Sequence, residues 1–262
     1  MAISSGHKEI LLTQSESKTL PEWVDFFNGI YTKNQIYSYC YRNGCKIKKI
    51  DSATFSQIQS QKARKYNINQ DYFKNWSENM AYILGFWFAD GCIYNNRLFD
   101  ITVHKKDKYI LKQMANELGY EGPISDYVDR QACRLNFSCK VIYDDIVSLG
   151  GTERKSNTVV FPNIPKEYLK DFIRGYFDGD GCAYLGKNGR LNTTFCCGNK
   201  IFLEQLLVIL KEEAKIEGGH FNDENKTLVF GKRDSIKLGH FIYDNSPELF
   251  LKRKREKIEK FF

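Results

Sequence analysis

The chain has 262 residues, with Lys+Arg at 39 against Asp+Glu at 32 and a net charge of +7. That length excludes a small scaffold held together only by disulfides, and the charge favours a polyanionic partner. No stretch approaches the roughly 20 apolar residues of a spanning helix, and the opening MAISSGHKEILLTQSESK is too polar for a signal peptide.

In chain order, Leu20 to Phe27 opens like a helix with Pro21 near its start, and Gly29 interrupts it. Thr32 caps a second helix through about Arg42, ended by Asn43-Gly44. Residues 1–50 so resemble a helix-turn-helix DNA-binding domain, whose second helix enters the major groove. The groove-reading candidates are Lys33, Asn34, Gln35, Tyr37, Ser38 and Arg42, in the basic company of Lys46, Lys48 and Lys49; the alternative is a hairpin that only packs. Residues 51–75 read as a linker, with Asp51 to Asp71 a tether that raises effective concentration on a shared ligand.

The rest of the chain is a duplication. Ile83-Leu84-Gly85-Phe86-Trp87-Phe88-Ala89-Asp90-Gly91 aligns without a gap on Ile173-Arg174-Gly175-Tyr176-Phe177-Asp178-Gly179-Asp180-Gly181, an offset of 90 residues. After each motif a strand pair, a helix, a second strand pair and a last helix are expected. In the first copy (76–150) the returning strand is 98–104, the helix 107–118, the second pair 124–128 with 133–138, and the last helix 141–149. In the second they are 191–197, 200–216, 220–222 with 227–230, and 235–243, inside a 151–262 block that begins with the connecting segment and ends in a basic tail. Each half reads αββαββα, so the fold class is α+β.

Gly85 and Ala89, like Gly175 and Gly179, lie four residues apart on one helix face, which lets two such helices approach backbone to backbone. Paired about a pseudo-twofold axis, they bring Asp90 and Asp180 together at the base of the seam. Adjacent carboxylates repel unless protonated or bridged by cations, and hard divalent ions accept one or two carboxylates while keeping waters and phosphate oxygens. Metals about 3.5–4 Å apart serve both the attacking and the leaving oxygen of a phosphodiester.

These paired motifs resemble the LAGLIDADG homing endonuclease family in its double-motif, single-chain form, over roughly Asn79 to Lys260. The resemblance implies two pseudosymmetric repeats forming a saddle on the DNA major groove, and double-strand breaks with short 3′ overhangs at a long target. It implies Mg²⁺ (or Mn²⁺) on Asp90 and Asp180, with Ala89 and Gly179 beside them as further metal positions. Phe88 departs from the motif, where Asp178 keeps the acid. Arg154-Lys155 and Arg253-Lys254 follow the two acids at similar distances, and the family uses basic residues near its metals. Lys155 and Lys254 are therefore the candidate catalytic cations, and Arg154 and Arg253 candidate phosphate contacts.

Other matches fail on context. Gly181 to Asn188 nearly spells a phosphate-binding loop but lacks the closing Ser/Thr and runs into a strand, and a calcium loop begun at Asp178 would have Gly189 where Glu is needed. The four histidines show no metal-ligand spacing. The eight cysteines, without a CxxC pair, read as reduced and mostly buried. The expected protein is a monomeric DNA endonuclease that stays in the cytoplasm where it is made. The competing readings are a non-cleaving DNA-binding regulator and an intron maturase that binds intron RNA. An embedded intein is disfavoured, since Met1 and Phe261-Phe262 stand where splicing residues belong.

Overall fold

Ser77 accepts a hydrogen bond from Met80 N and starts helix α4 (Glu78–Asp90), whose residues 80 to 88 are all buried. A helix apolar around its whole circumference must be covered on every side. Its main neighbour is the equivalent helix of the second copy, α7 (Leu169–Asp180), and the pair forms the spine of the larger unit. A computed structural model describes residues 3–49, 65–187, 189–224 and 226–262. The chain divides into two compact units, 1–65 and 66–262, each with its own apolar core.

In the larger unit each spine helix runs straight into a strand. Strands β1 (Gly91–Tyr94), β2 (Leu98–His104), β3 (Ser125–Asp126) and β4 (Ala132–Ser138) form an antiparallel sheet in the order β1-β2-β4-β3. Strands β5 (Gly181–Leu185), β6 (Leu191–Cys196), β7 (His220–Asn222) and β8 (Thr227–Phe230) repeat that order as β5-β6-β8-β7. Registers correspond too, with Gly91 opposite Ile101 and Gly181 opposite Phe195. Helices α5 (Lys108–Glu117) and α6 (Lys140–Ser148) complete the first repeat, and α8 (Lys200–Glu213) and α9 (Lys232–Tyr243) the second. In β4 the alternation is strict, with Cys133, Leu135 and Phe137 buried while Arg134 and Asn136 are partly open to water. The architecture is the α+β, two-repeat arrangement expected from the duplication.

Several expectations need correction. Strand β3 is only two residues long, where 124–128 was expected. Helix α8 ends at Glu213 rather than 216, because Ala214 caps it and Lys215 takes a left-handed φ of 55°. The basic tail is not loose: it forms helix α10 (Lys252–Glu259) and buries Lys254 and Ile258. Of the linker, 51–64 lies outside the described residues, and 66–75 belongs to the larger unit. There Asn69 N donates to Leu118 O at 2.8 Å, and Phe73 is buried in the same apolar core as Phe99. All eight cysteines are free, but only Cys40, Cys133, Cys139 and Cys197 are buried.

In the smaller unit α2 (Leu20–Phe26) and α3 (Lys33–Arg42) appear as the capping signals indicate, with Thr32 and Gln35 forming a capping box. A preceding helix, α1 (Ser5–Gln14), was not foreseen, since its single buried residue is Leu11 and it carries almost no apolar periodicity. Trp23, Phe27, Tyr31, Ile36 and Cys40 form the core of this unit.

Candidate active site at the helix seam

Contact between the spine helices is set by two glycines. A Cβ on Gly85 would stand 2.0 Å from Phe172 O, and one on Gly175 would stand 2.0 Å from Tyr82 O. The two approaches are related by the same 90-residue offset, so the helices cross with near-twofold symmetry. Toward their carboxy-terminal ends the seam stays narrow: a Cβ on Gly179 would lie 2.3 Å from Ala89 Cβ and 3.5 Å from Asp90 Oδ2. Gly85, Ala89, Gly175 and Gly179 all lie along this contact.

Asp90 and Asp180 close the two helices at this point. Burial first, and then the Asp180 carboxylate, push the Asp90 carboxyl up to about 6. Asp180 is also raised, by burial, against the pull of Lys155 and Lys254. A carboxylate set beside another binds its proton more tightly, and a divalent cation relieves that repulsion. That is the fit expected for a hard divalent ion sharing two carboxylates with water and phosphate oxygens. No cluster of three or more His, Cys, Asp or Glu occurs among the described residues, which disfavours a cage made wholly of side chains.

The lysines take equivalent places. Lys155 Nζ donates to Ala89 O at 3.0 Å and sits over the Trp87 ring; Lys254 Nζ donates to Gly179 O at 2.9 Å and to Phe177 O at 2.8 Å, over the Phe177 ring. Trp87 and Phe177, like Ala89 and Gly179, are partners under the 90-residue offset. Each lysine thus caps the negative end of one spine helix with positive charge, and the charges act across the seam, Lys155 most strongly on Asp180 and Lys254 more than Lys155 on Asp90. Burial lowers both ammonium groups, Lys254 to about 8. The carbonyls of Ala89 and Gly179, expected near metal, here accept from the lysines and keep one lone pair each.

The two lysines arrive differently. Lys155 comes from a single turn of the connecting segment (Lys155–Asn157), held where Asn199 Nδ2 donates to Val159 O at 2.9 Å. Lys254 comes from α10. A cleft of about 360 Å³ opens among Ala89, Lys155, Tyr176, Asp180, Cys196 and Lys226.

The neighbouring arginines separate from the lysines. Arg154 is exposed with a left-handed φ of 56°, and Arg253 makes a forked pair with the buried Asp107, at 3.0 and 2.9 Å to Oδ2. Arg253 therefore has a packing role that sequence spacing did not reveal. On the open face of the first sheet Asp100 is held by Arg134, by Asn136 at 3.0 Å and by Thr102 at 3.1 Å, while Arg134 also donates to Tyr94 OH at 3.2 Å. Register places Cys92 opposite Asp100 and Asp100 opposite Asn136, so this polar set lies on one face. The matching face of the second sheet carries neutral Cys182, Asn192 and Thr194. These strand residues were not singled out from sequence.

In the smaller unit Lys33, Asn34, Tyr37, Ser38 and Arg42 are exposed along α3, while Gln35 is half-buried and accepts from Thr32 N at 2.8 Å. Gln35 thus serves the helix start. An exposed neighbour missed from sequence, Tyr41, stacks on Tyr37 with ring centroids 6.1 Å apart.

Comparison with known proteins gives the same outline. Residues 167–233 match the model for the LAGLIDADG-like domain. A 142-residue stretch, 49% of this chain, is 28% identical to the probable translation initiation factor IF-2 of Methanocaldococcus jannaschii, and it spans only 11% of that protein's length. Among solved structures, the homing endonuclease I-WcaI bound to its DNA recognition sequence superposes with a TM-score of 0.51 at 15% identity, covering 72% of this chain and 91% of that one. The I-LtrWI LAGLIDADG homing endonuclease bound to target DNA gives 0.49 at 14% identity, covering 74% and 89%. The chain has the two-repeat LAGLIDADG fold.

Proposed function

We propose that this two-repeat LAGLIDADG chain is a site-specific DNA endonuclease that makes metal-dependent double-strand breaks. One observation carries the reading: Asp90 and Asp180, related by the 90-residue offset, end the two spine helices at one seam, and Lys155 and Lys254 donate to the equally offset carbonyls of Ala89 and Gly179 there. A pure DNA binder has no use for two acids brought together at one seam, where the Asp180 carboxylate raises the proton affinity of Asp90. Asp90 and Asp180 are the residues that would hold Mg²⁺ or Mn²⁺, which supplies Lewis-acid stabilisation of a phosphodiester. The chain's own contribution is positional. The glycine contacts fix the spacing of the acids, and Lys155 and Lys254 keep positive charge next to the phosphate as negative charge develops there. Both halves lie in one chain, so a monomer serves both strands and the target need not be palindromic.

The open sheet faces supply sequence reading in the major groove, with Arg134 and Asn136 the candidate readers on the first half. The test is incubation with Mg²⁺ and a randomised duplex library, followed by sequencing of the ends. Double-strand ends sharing one long motif, formed only with metal, are expected. Retained binding without any cut at the motif would leave the regulator reading in its place.

Residues 1–65 add phosphate-neutralising charge through Lys33, Arg42, Lys46, Lys48 and Lys49, all exposed. Removing them weakens target binding and lowers the slope of log affinity against log salt by about 0.9 for each phosphate no longer neutralised. Fluorescence anisotropy across a salt series measures it, and an unchanged slope ends the proposed DNA role of this unit.

A further inference from the structure

Helix α7 buries charge where α4 does not. Under the 90-residue offset Asp171, Arg174 and Asp178 stand where the first copy has Ala81, Leu84 and Phe88. All three are buried. Arg174 Nη1 donates to Asp171 Oδ1 at 2.6 Å and to Ile242 O at 3.3 Å, and Arg174 Nε donates to Leu249 O at 3.1 Å. Asp178 accepts from Leu251 N at 2.7 Å and from the hydroxyls of Tyr82 and Tyr243 at 2.8 Å each.

The backbone from Leu249 to Leu251 is therefore tied to α7 at both ends by buried charged groups. Leu251 caps α10, and Lys254 N donates to Leu251 O at 2.9 Å. One turn beyond the tie, Lys254 reaches the end of the very helix that makes it. Stability alone accounts poorly for this arrangement. Buried ion pairs are often replaceable by apolar side chains at little cost, and here Asp171 Oδ2 and Arg174 Nη2 have no hydrogen-bond partner.

We propose that Asp178 and Arg174 are positioning residues that clamp the 249–251 strap and so register Lys254 on the carbonyls at the carboxy-terminal end of α7, making chemistry on one DNA strand depend on a buried clamp that the other strand's site lacks. The proposal rests on the endonuclease reading for its strand-resolved consequence, while the clamp itself is a statement about the strap. On the first side Lys155 is delivered by the connecting segment, and Phe88 packs edge-on against Phe172 at 5.4 Å where the clamp acid would be.

Two sets of variants test it. Asp171→Ala with Arg174→Leu installs the first copy's residues and leaves no unpaired charge. Asp178→Leu removes the acceptor for Leu251 N, and Asp178→Asn restores one. On a plasmid bearing the target, the double variant and Asp178→Leu are expected to slow one strand by about tenfold or more, with the other within about twofold, so that nicked circles accumulate. The affected strand is the one that Lys254→Met no longer cuts, and Asp178→Asn recovers much of the rate.

In parallel, hydrogen exchange of the full-length protein is expected to speed up about tenfold at the amides of 251–255 and to leave those of α4 unchanged. Equal slowing of both strands, unchanged strand rates, or unchanged exchange at 251–255 overturns the clamp. If the unmodified protein makes no cut, the endonuclease reading falls and the exchange measurement alone decides the clamp.

Discussion

Asp90→Asn and Asp180→Asn each lower metal-dependent cleavage by about 10³-fold or more while duplex affinity changes by less than about threefold. The asymmetry between the two readouts follows from where the acids sit: at the seam, capping the spine helices, and away from the strand faces that would read sequence. The same substitutions separate a catalytic carboxylate from a structural one through stability. Asp90 is raised from 3.8 to about 6, so the folded chain binds its proton more tightly than the unfolded chain. Stability therefore falls as pH climbs from about 4 to about 6, and the cost is complete above that range.

Asp90→Asn removes the cost, and in metal-free buffer at pH 8 it is expected to raise Tm. In the unmodified protein, Mg²⁺ raises Tm above pH 6 and does so progressively less below it, because a protonated carboxyl is a poor ligand. Cleavage gains rate as pH rises through about 6 for the same reason. Calorimetry and strand-cleavage assays over pH 5 to 9 check both. A Tm that drops in Asp90→Asn, or full cleavage by either variant, defeats the metal-binding assignment.

The largest loss of stability is expected at the glycine contacts. A methyl group on Gly175 would meet Tyr82 O at 2.0 Å and Phe86 N at 2.8 Å, and one on Gly85 would meet Phe172 O at 2.0 Å. These are backbone atoms inside helices, which cannot swing away as a side chain can, so the helices must separate by more than an ångström. Gly175→Ala or Gly85→Ala should cost about 3–5 kcal/mol and lower Tm by roughly 10 °C. Cleavage falls further than stability explains, because the spacing of Asp90 and Asp180 is set by the same contact. Gly231→Ala is the control: a Cβ there has nothing within 4 Å, and its Tm should stay within a few degrees. Denaturation of all three variants in one buffer decides the matter, and a Gly175→Ala protein as stable as the control would refute the close packing.

The duplication made the spine, the strand order and the two acids legible, because a repeat in register is a symmetry that sequence displays directly. What it concealed was held by contacts between distant segments. Nothing local in Lys252 to Glu259 shows a helix face, since Ile258 is its one buried apolar residue. Asp107 gives no hint of Arg253, nor Asp178 of Leu251, until the backbone brings them together. Residues 66–75 are polar and punctuated like a linker, yet their backbone pairs with Leu118 and Asn67 pairs with Glu121. Lys155 and Lys254 were named by spacing, and their placement on matching carbonyls is a property of the fold.

The hydrogen bond from Tyr82 to Asp178 makes the two halves unlike hands rather than copies. The first half offers a hydroxyl at Tyr82 and an apolar ring at Phe88; the second offers an apolar ring at Phe172 and a carboxylate at Asp178. A dimer of two first halves would strand a hydroxyl against a phenyl ring, and a dimer of two second halves would bury a carboxylate without that donor, at a cost of about 1–3 kcal/mol per orphaned group. Each half is thereby fitted to the other and not to itself.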